Sequence, residues 1–272
     1  MRQSHRSLLY VVSGVVLAAA AFPTTAHANH AWGCYHWARS NNPVHLDIGD
    51  NVDSSWDSHL DLAVQDWNQS TVLDLTKVAG GARQKNCRPT SGRIEVCNGN
   101  YRNNGWLGIA QIWVNGCHIT QATTKLNDYY FNQPQYNSPA WRQFVACQEV
   151  GHDFGLDHQD ETFDNPNLGS CMDYTNDPDG GAGGASNNDP SNESPNAHDY
   201  DQLAAIYSHL DAAAVAAPAA FPGNADLNSP AAWGVLVRTL AGGRVQVFER
   251  DLGNGAKMIT RVTWADSEPR RE

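Results

Sequence analysis

Basic residues are scarce in this chain. Its 272 residues carry 18 Lys and Arg against 29 Asp and Glu, a formal net charge of −11 at pH 7. No basic stripe interrupts that balance, so a nucleic-acid partner is not expected, and acidity of this kind serves solubility. Long apolar runs are also missing. The run over residues 8–22 is too short to span a bilayer comfortably, and no later segment reaches the length of a spanning helix. Paired C-x-x-C spacing is absent as well, which removes a common kind of structural zinc module.

What is there begins with a leader. Arg2 and Arg6, the apolar run, and Ala26-His27-Ala28 together read as a secretory signal peptide over residues 1–28. The mature chain is then expected to start near Asn29 and to be secreted, extracellular and monomeric. Loss of Arg2 and Arg6 leaves 16 basic side chains against 29 acidic ones, a net charge of about −13. All six cysteines follow the leader, and an even number in an exported chain reads as three disulfides. Nine tryptophans and 41% apolar residues argue for a packed core, and the length suits one domain with a small appendage.

Chemistry-bearing residues concentrate in Cys147-Gln148-Glu149-Val150-Gly151-His152-Asp153-Phe154-Gly155-Leu156-Asp157-His158. On a helix Gln148 and His152 share a face, with Glu149 beside them. Gly155 lets the backbone leave the helix through a left-handed conformation, which returns His158 toward the same point. The spacing is that of a zinc site. A buried helix with incidental histidines would need Glu149, His152, Gly155 and His158 to fall at that spacing by chance, about one chance in a thousand per chain at average residue usage.

These residues resemble the metzincin metallopeptidases, whose signature is H-E-x-x-H-x-x-G-x-x-H followed by a Met-turn. Gly151, Gly155-Leu156 and Met172-Asp173-Tyr174 make the matrixin-like branch the nearest likeness, while Gln148 stands where the family has its first histidine. The resemblance implies an α+β domain of zincin type with a twisted mixed sheet, an active-site helix, a Met-turn and a C-terminal helix. It implies zinc held by His152 and His158; Gln148, neutral and reaching about as far as histidine, would be the third ligand through its amide oxygen, unless it only hydrogen-bonds locally. Glu149 would take the proton of the attacking water, and Met172 would form the floor. The implied function is a zinc-dependent endopeptidase acting on extracellular protein or peptide. The alternative is a catalytically impaired metzincin-fold protein that binds peptide or protein partners.

The resemblance also places the Met-turn under the helix, which would pair Cys147 with Cys171. Cys87 and Cys97 can close a local loop, leaving Cys34 for Cys117, although six cysteines allow fifteen connectivities. Little sequence separates the leader from the first strand, so no inhibitory propeptide is expected there and Cys34 reads as a disulfide partner.

Val44, Leu46 and Ile48 alternate as in a strand, and Trp56, Leu60, Ala63, Val64 and Trp67 repeat at helical spacing behind a start at Ser54. Residues 72–78, 94–97 and 108–114 read as further strands. By its place before the active-site helix, 108–114 is the candidate edge strand for substrate. Residues after Cys117-His118-Ile119 are polar to Asn137, and His118 reads as a surface histidine, not a ligand. Ser138-Pro139 opens the active-site helix. The acids of residues 159–161 leave calcium open as a further ion without assigning it. Residues 175–196 read as a long mobile loop near the specificity pocket. Asn196 caps a helix carrying Leu203, Ile206, Tyr207 and Leu210, with His198 structural in its first turn. The catalytic domain is therefore expected over 29–211, an Ala/Pro linker over 212–228, and a short β-rich extension over 229–272 with an Asn254-Gly255 hairpin turn.

Overall fold

The computed structural model describes residues 30–182, 188–211 and 225–265. The expected leader and most of the expected linker lie outside them. After a short β1 (His36–Trp37), Val44, Leu46 and Ile48 bury one face of β2 (Val44–Asn51). Leu60, Ala63, Val64 and Trp67 bury one side of α1 (Asp57–Trp67). Its start differs from the expected Ser54 cap. The Asp53 carbonyl accepts from the Trp56 and Asp57 N–H groups, and the Asp53 carboxylate holds Ser55, so Asp53 organises the turn. Next come β3 (Leu73–Ala79), β4 (Ile94–Gly99), β5 (Trp106–Asn115) and β6 (His118–Asn127).

The sequence reading passed over β6 as a polar stretch. Every residue of it beyond His118 is buried, with Thr120, Thr124, Lys125 and Asn127 finding polar partners inside and the Thr123 hydroxyl finding none. Thr124 donates to the Asp153 carboxylate, and Lys125 Nζ donates to Gln111 Oε1 at 2.8 Å and to the Leu227 carbonyl at 3.1 Å. Periodicity reports hydrophobic side chains, and satisfied polar pairs carry no such signal.

A short α2 (Asp128–Phe131) leads to α3 (Pro139–His152), where Ser138 Oγ accepts the Trp141 N–H and Pro139 occupies the first turn. Helix α3 packs on α1, β5 and β6, and the Trp67 indole donates to the Cys147 carbonyl. Asn196 and Asp199 form a reciprocal capping box on α4 (Ala197–Ile206). The chain closes with α5 (Pro230–Trp233), β7 (Val235–Leu240), β8 (Val245–Gly253) and β9 (Ala256–Trp264). Asn254 and Gly255, at φ of 55° and 78°, make the tight turn between the last two. Among the described residues no helix is long and apolar enough to cross a membrane.

The strands form one mixed sheet in the order β3-β2-β4-β6-β5-β9-β8-β7, with β1 pairing parallel to the start of β6. Strands β3, β2, β4 and β6 run parallel, and β5, β9, β8 and β7 join antiparallel. The C-terminal strands thus continue the sheet of the main domain. One core lies between the sheet and helices α1 and α3; a second, built from Trp106, Ile109, Trp113, Trp233, Met258, Val262 and Trp264, covers the other face of β5 and β9.

This arrangement overturns the expected role of residues 108–114. The stretch is an interior strand, paired with β6 on one side and β9 on the other. Its composition carried the signal: Ile112 and Val114 enter the first core while Ile109 and Trp113 enter the second. A strand apolar on both faces is buried on both, which fits an edge poorly. The three disulfides, Cys34–Cys117, Cys87–Cys97 and Cys147–Cys171, are the expected pairs.

Candidate active site

Helix α3 delivers Gln148, Glu149 and His152 to its last turn, and all three are fully buried. The helix ends because Gly155 sits at φ 93°, where a Cβ would also meet the Tyr35 carbonyl oxygen at 2.0 Å. Beyond it Ala31 bridges to Leu156 and the Asp157 N–H donates to the His30 carbonyl, fixing the returning chain. His158 arrives with its ring centroid 5.0 Å from that of His152, stacked on Tyr174.

Gln148 and His152 are each tethered at one side-chain atom and unpartnered at another, and His158 is hydrogen-bonded at neither ring nitrogen. Gln148 Nε2 donates to the Cys171 carbonyl at 3.0 Å, leaving Oε1 buried without a partner. His152 Nδ1 lies 2.8 Å from the Leu156 carbonyl, which makes Nδ1 the donor and leaves Nε2 a bare, buried lone pair. His158 Nδ1 faces Glu161 Oε1 at 3.3 Å, and its Nε2 is likewise unpartnered. Two imidazole nitrogens and an amide oxygen make a donor set that fits zinc.

Beneath the helix, Ser170–Asp173 forms a turn in which Ser170 Oγ accepts the Met172 N–H. A Cβ on Gly151 would lie 2.6 Å from Met172 Sδ and 2.7 Å from the Trp67 ring, so only glycine lets the turn approach this closely. The Cys147–Cys171 bridge ties helix to turn. Residues 175–196, expected as a mobile loop, are instead fastened where described. The Asn192 amide accepts the Gly169 and Ser170 N–H groups and donates to Asp173, while Asn167 donates to the carbonyls of Asp177 and Pro190. Asparagine side chains here replace the backbone partners that a loop lacks. Asp160 accepts from Thr162 and Asn165, and Glu161 turns to His158 and Arg261.

Sequence reasoning missed what closes the site. In the β5–β9 register Ala110 pairs with Arg261 and Gly108 with Thr263, so both β9 side chains share the face that looks at α3. Thr263 Oγ1 donates to Glu149 Oε1 at 2.8 Å. The fully buried Arg261 guanidinium pairs with Asp157 and with Glu161 at 3.2 Å, and Arg238 of β7 reaches the other oxygen of Asp157 at 2.9 Å. Leu107, Tyr136, Trp141, Phe163 and Tyr174 meet Thr263 and Trp264 with no water-sized void between them.

The electrostatics follow this closure. Burial lifts the Glu149 carboxyl to about 8, with the Thr263 hydroxyl and the Arg261 charge opposing the rise. Burial, reinforced by the Arg261 charge, depresses both His152 and His158. For Asp157 burial acts to raise the pKa, but Arg261, His158 and Arg238 outweigh it and hold the carboxyl below its usual range. The structure thus brings Gln148, Glu149, His152, His158 and Met172 together, keeps His118 apart, and adds Asp157, Arg261 and Thr263.

No protein-family profile matches the chain, and no curated protein matches it. Solved structures to which it is similar include high choriolytic enzyme 1, a hatching enzyme zinc-protease from Oryzias latipes (medaka fish). That likeness is 12% identical, covers 64% of this chain and 94% of the other, and has a TM-score of 0.35. Myroilysin is similar at 13% identity, over 66% of this chain and 98% of that one, with a TM-score of 0.37.

Proposed function

We propose that the chain is a secreted zinc-dependent endopeptidase of metzincin type, nearest the matrixin-like branch, that hydrolyses peptide bonds of extracellular proteins. The observation that carries this reading is the set of buried donors without partners: Gln148 Oε1, His152 Nε2 and His158 Nε2. Each unpaired buried polar atom costs on the order of 1–3 kcal/mol, and a shared cation is the partner that satisfies all three. When bound, zinc supplies a Lewis acid and a water of near-neutral pKa. A cation held beside Glu149 would offset the burial that lifts its carboxyl, and Glu149, whose Oε2 is also unpartnered, would then accept the proton of the attacking water and pass it to the leaving amine. Met172, packed against Gly151, keeps solvent from the ligands below.

In the described form β9 lies where an added substrate strand would lie on β5, and its Thr263 occupies Glu149. Hydrolysis therefore requires β9 to leave, and the chain is latent until it does. The same contact favours a second reading, in which the seal is permanent and the protein acts only as a binding partner.

Zinc content and hydrolysis of a protein substrate separate the two. Wild type, Gln148→His, Gln148→Ala and Glu149→Ala are compared, each with and without Thr263→Pro to weaken β9. Stoichiometric zinc in wild type, tighter zinc in Gln148→His and weaker zinc in Gln148→Ala are expected. Hydrolysis should rise with Thr263→Pro and vanish with Glu149→Ala while zinc is kept. A protein that holds no zinc and stays inert with β9 displaced, even in excess zinc, leaves only the second reading.

A further inference from the structure

Three imidazoles converge on one carboxylate oxygen away from the helix site. His36 Nε2, His118 Nε2 and His209 Nε2 lie 3.5, 3.1 and 3.4 Å from Asp211 Oδ1. The donor atoms of His36, His209 and Asp211 all lie within 4.8 Å of one another. We propose that His36, His209 and Asp211 form a second metal site, holding a zinc ion that fastens β1 to the chain beyond α4, with His118 braced against Asp211 beside it.

The spacing supports zinc. Bonds of 2.0–2.1 Å in a tetrahedral shell put neighbouring donor atoms about 3.3 Å apart, close to the His36 and His209 distances to Asp211. The orientation of His36 suits a ligand: its Nδ1 lies 2.8 Å from the Cys34 carbonyl, which can only accept, so in the neutral ring Nε2 presents its lone pair toward Asp211. Asp211 is oriented for the role, because its Oδ2 accepts the Arg39 N–H at 2.9 Å and leaves Oδ1 toward the imidazoles. Such outer contacts fix ligand direction at metal sites.

The cluster borders a surface cavity of about 510 Å³ also lined by Cys34, Cys117 and Ile206, which gives an ion a route in. The site's mechanical reach is direct. The Trp37 N–H donates to Tyr207 Oη, which donates to the Phe154 carbonyl just past α3, so an ion at Asp211 would anchor the strand and the chain end that bracket the catalytic helix.

This site does not depend on the peptidase reading, and the test keeps the two apart. Zinc binding is measured by elemental analysis and calorimetry on the full chain as wild type, His209→Ala, His118→Ala and Asp211→Asn, and on a His152→Ala/His158→Ala variant. Two zinc ions are expected in wild type and one in the His152/His158 variant. At the remaining site, His209→Ala should raise the dissociation constant tenfold or more, His118→Ala should raise it less, and Asp211→Asn should abolish binding. Cobalt in the His152/His158 variant should give the visible absorption of a tetrahedral ion. A single zinc in wild type, lost with His209→Ala, would overturn the helix site and keep this one. Zinc uptake unchanged by His209→Ala and Asp211→Asn would overturn the proposal, and since His209 is largely exposed, its substitution leaves the fold to report the result.

Discussion

Gln148 shows how one atom's tether decides what another can do. Its amide nitrogen must face the Cys171 carbonyl, because two oxygens there would repel, and that fixes Oε1 as the free end. Gly151 is equally constrained, by space. Gly151→Ala drives a methyl into Met172 Sδ and Trp67, and a loss of about 1–3 kcal/mol is expected in urea denaturation, a cost of overpacking. Lys125 gives a pH-dependent prediction away from the site. Burial lowers its pKa to about 7, so between about pH 7 and the ordinary lysine value the unfolded chain holds a proton that the folded one has released. Stability should therefore rise with pH across that window, by up to about 1.4 kcal/mol per pH unit from this group. Lys125→Met should remove that rise, which thermal unfolding at pH 7 and pH 9 will show.

At the scale of elements, β9 is the part whose position matters most. It contributes Thr263 to Glu149 and Arg261 to Asp157, and it occupies the edge that β5 would otherwise offer. Thr263→Pro removes a backbone donor from a strand paired on both sides, so faster amide exchange throughout β9 is expected by mass spectrometry, with α3 unchanged. Equal protection in variant and wild type would mean that the strand does not open this way. The Cys147–Cys171 bridge closes a loop of sequence separation 24 between α3 and the turn below it. Replacing both cysteines by alanine should cost about 3–4 kcal/mol, the chain-entropy value for a loop of that size, and weaken zinc retention in parallel.

For the whole molecule, one sheet runs from β3 to β7 and its two cores share β5, so N- and C-terminal parts should unfold together. Trp233→Ala, in the second core, should cost about 3–5 kcal/mol and move the midpoints of circular dichroism and tryptophan fluorescence equally. Separate transitions would mean that the C-terminal strands form an independent unit. Much was determined by sequence alone. Helical spacing placed Gln148, Glu149 and His152 on one turn, Gly155 marked where the chain must reverse, and Ser138 and Asn196 announced two helix starts, because caps, glycine conformations and side-chain periods are local properties. The strand β6 was not legible, since Thr120, Thr124 and Lys125 find their partners on distant residues, the Trp113 carbonyl, Asp153 and Gln111 among them, and leave no hydrophobic rhythm. Nor was the closure of the site. Arg261 and Thr263 lie more than a hundred residues from Asp157 and Glu149, and only the β5–β9 register turns them toward α3. Likewise His36, His118, His209 and Asp211 look unrelated along the chain. Their meeting is set by strand pairing and helix packing, which depend on contacts between distant segments that no local pattern encodes.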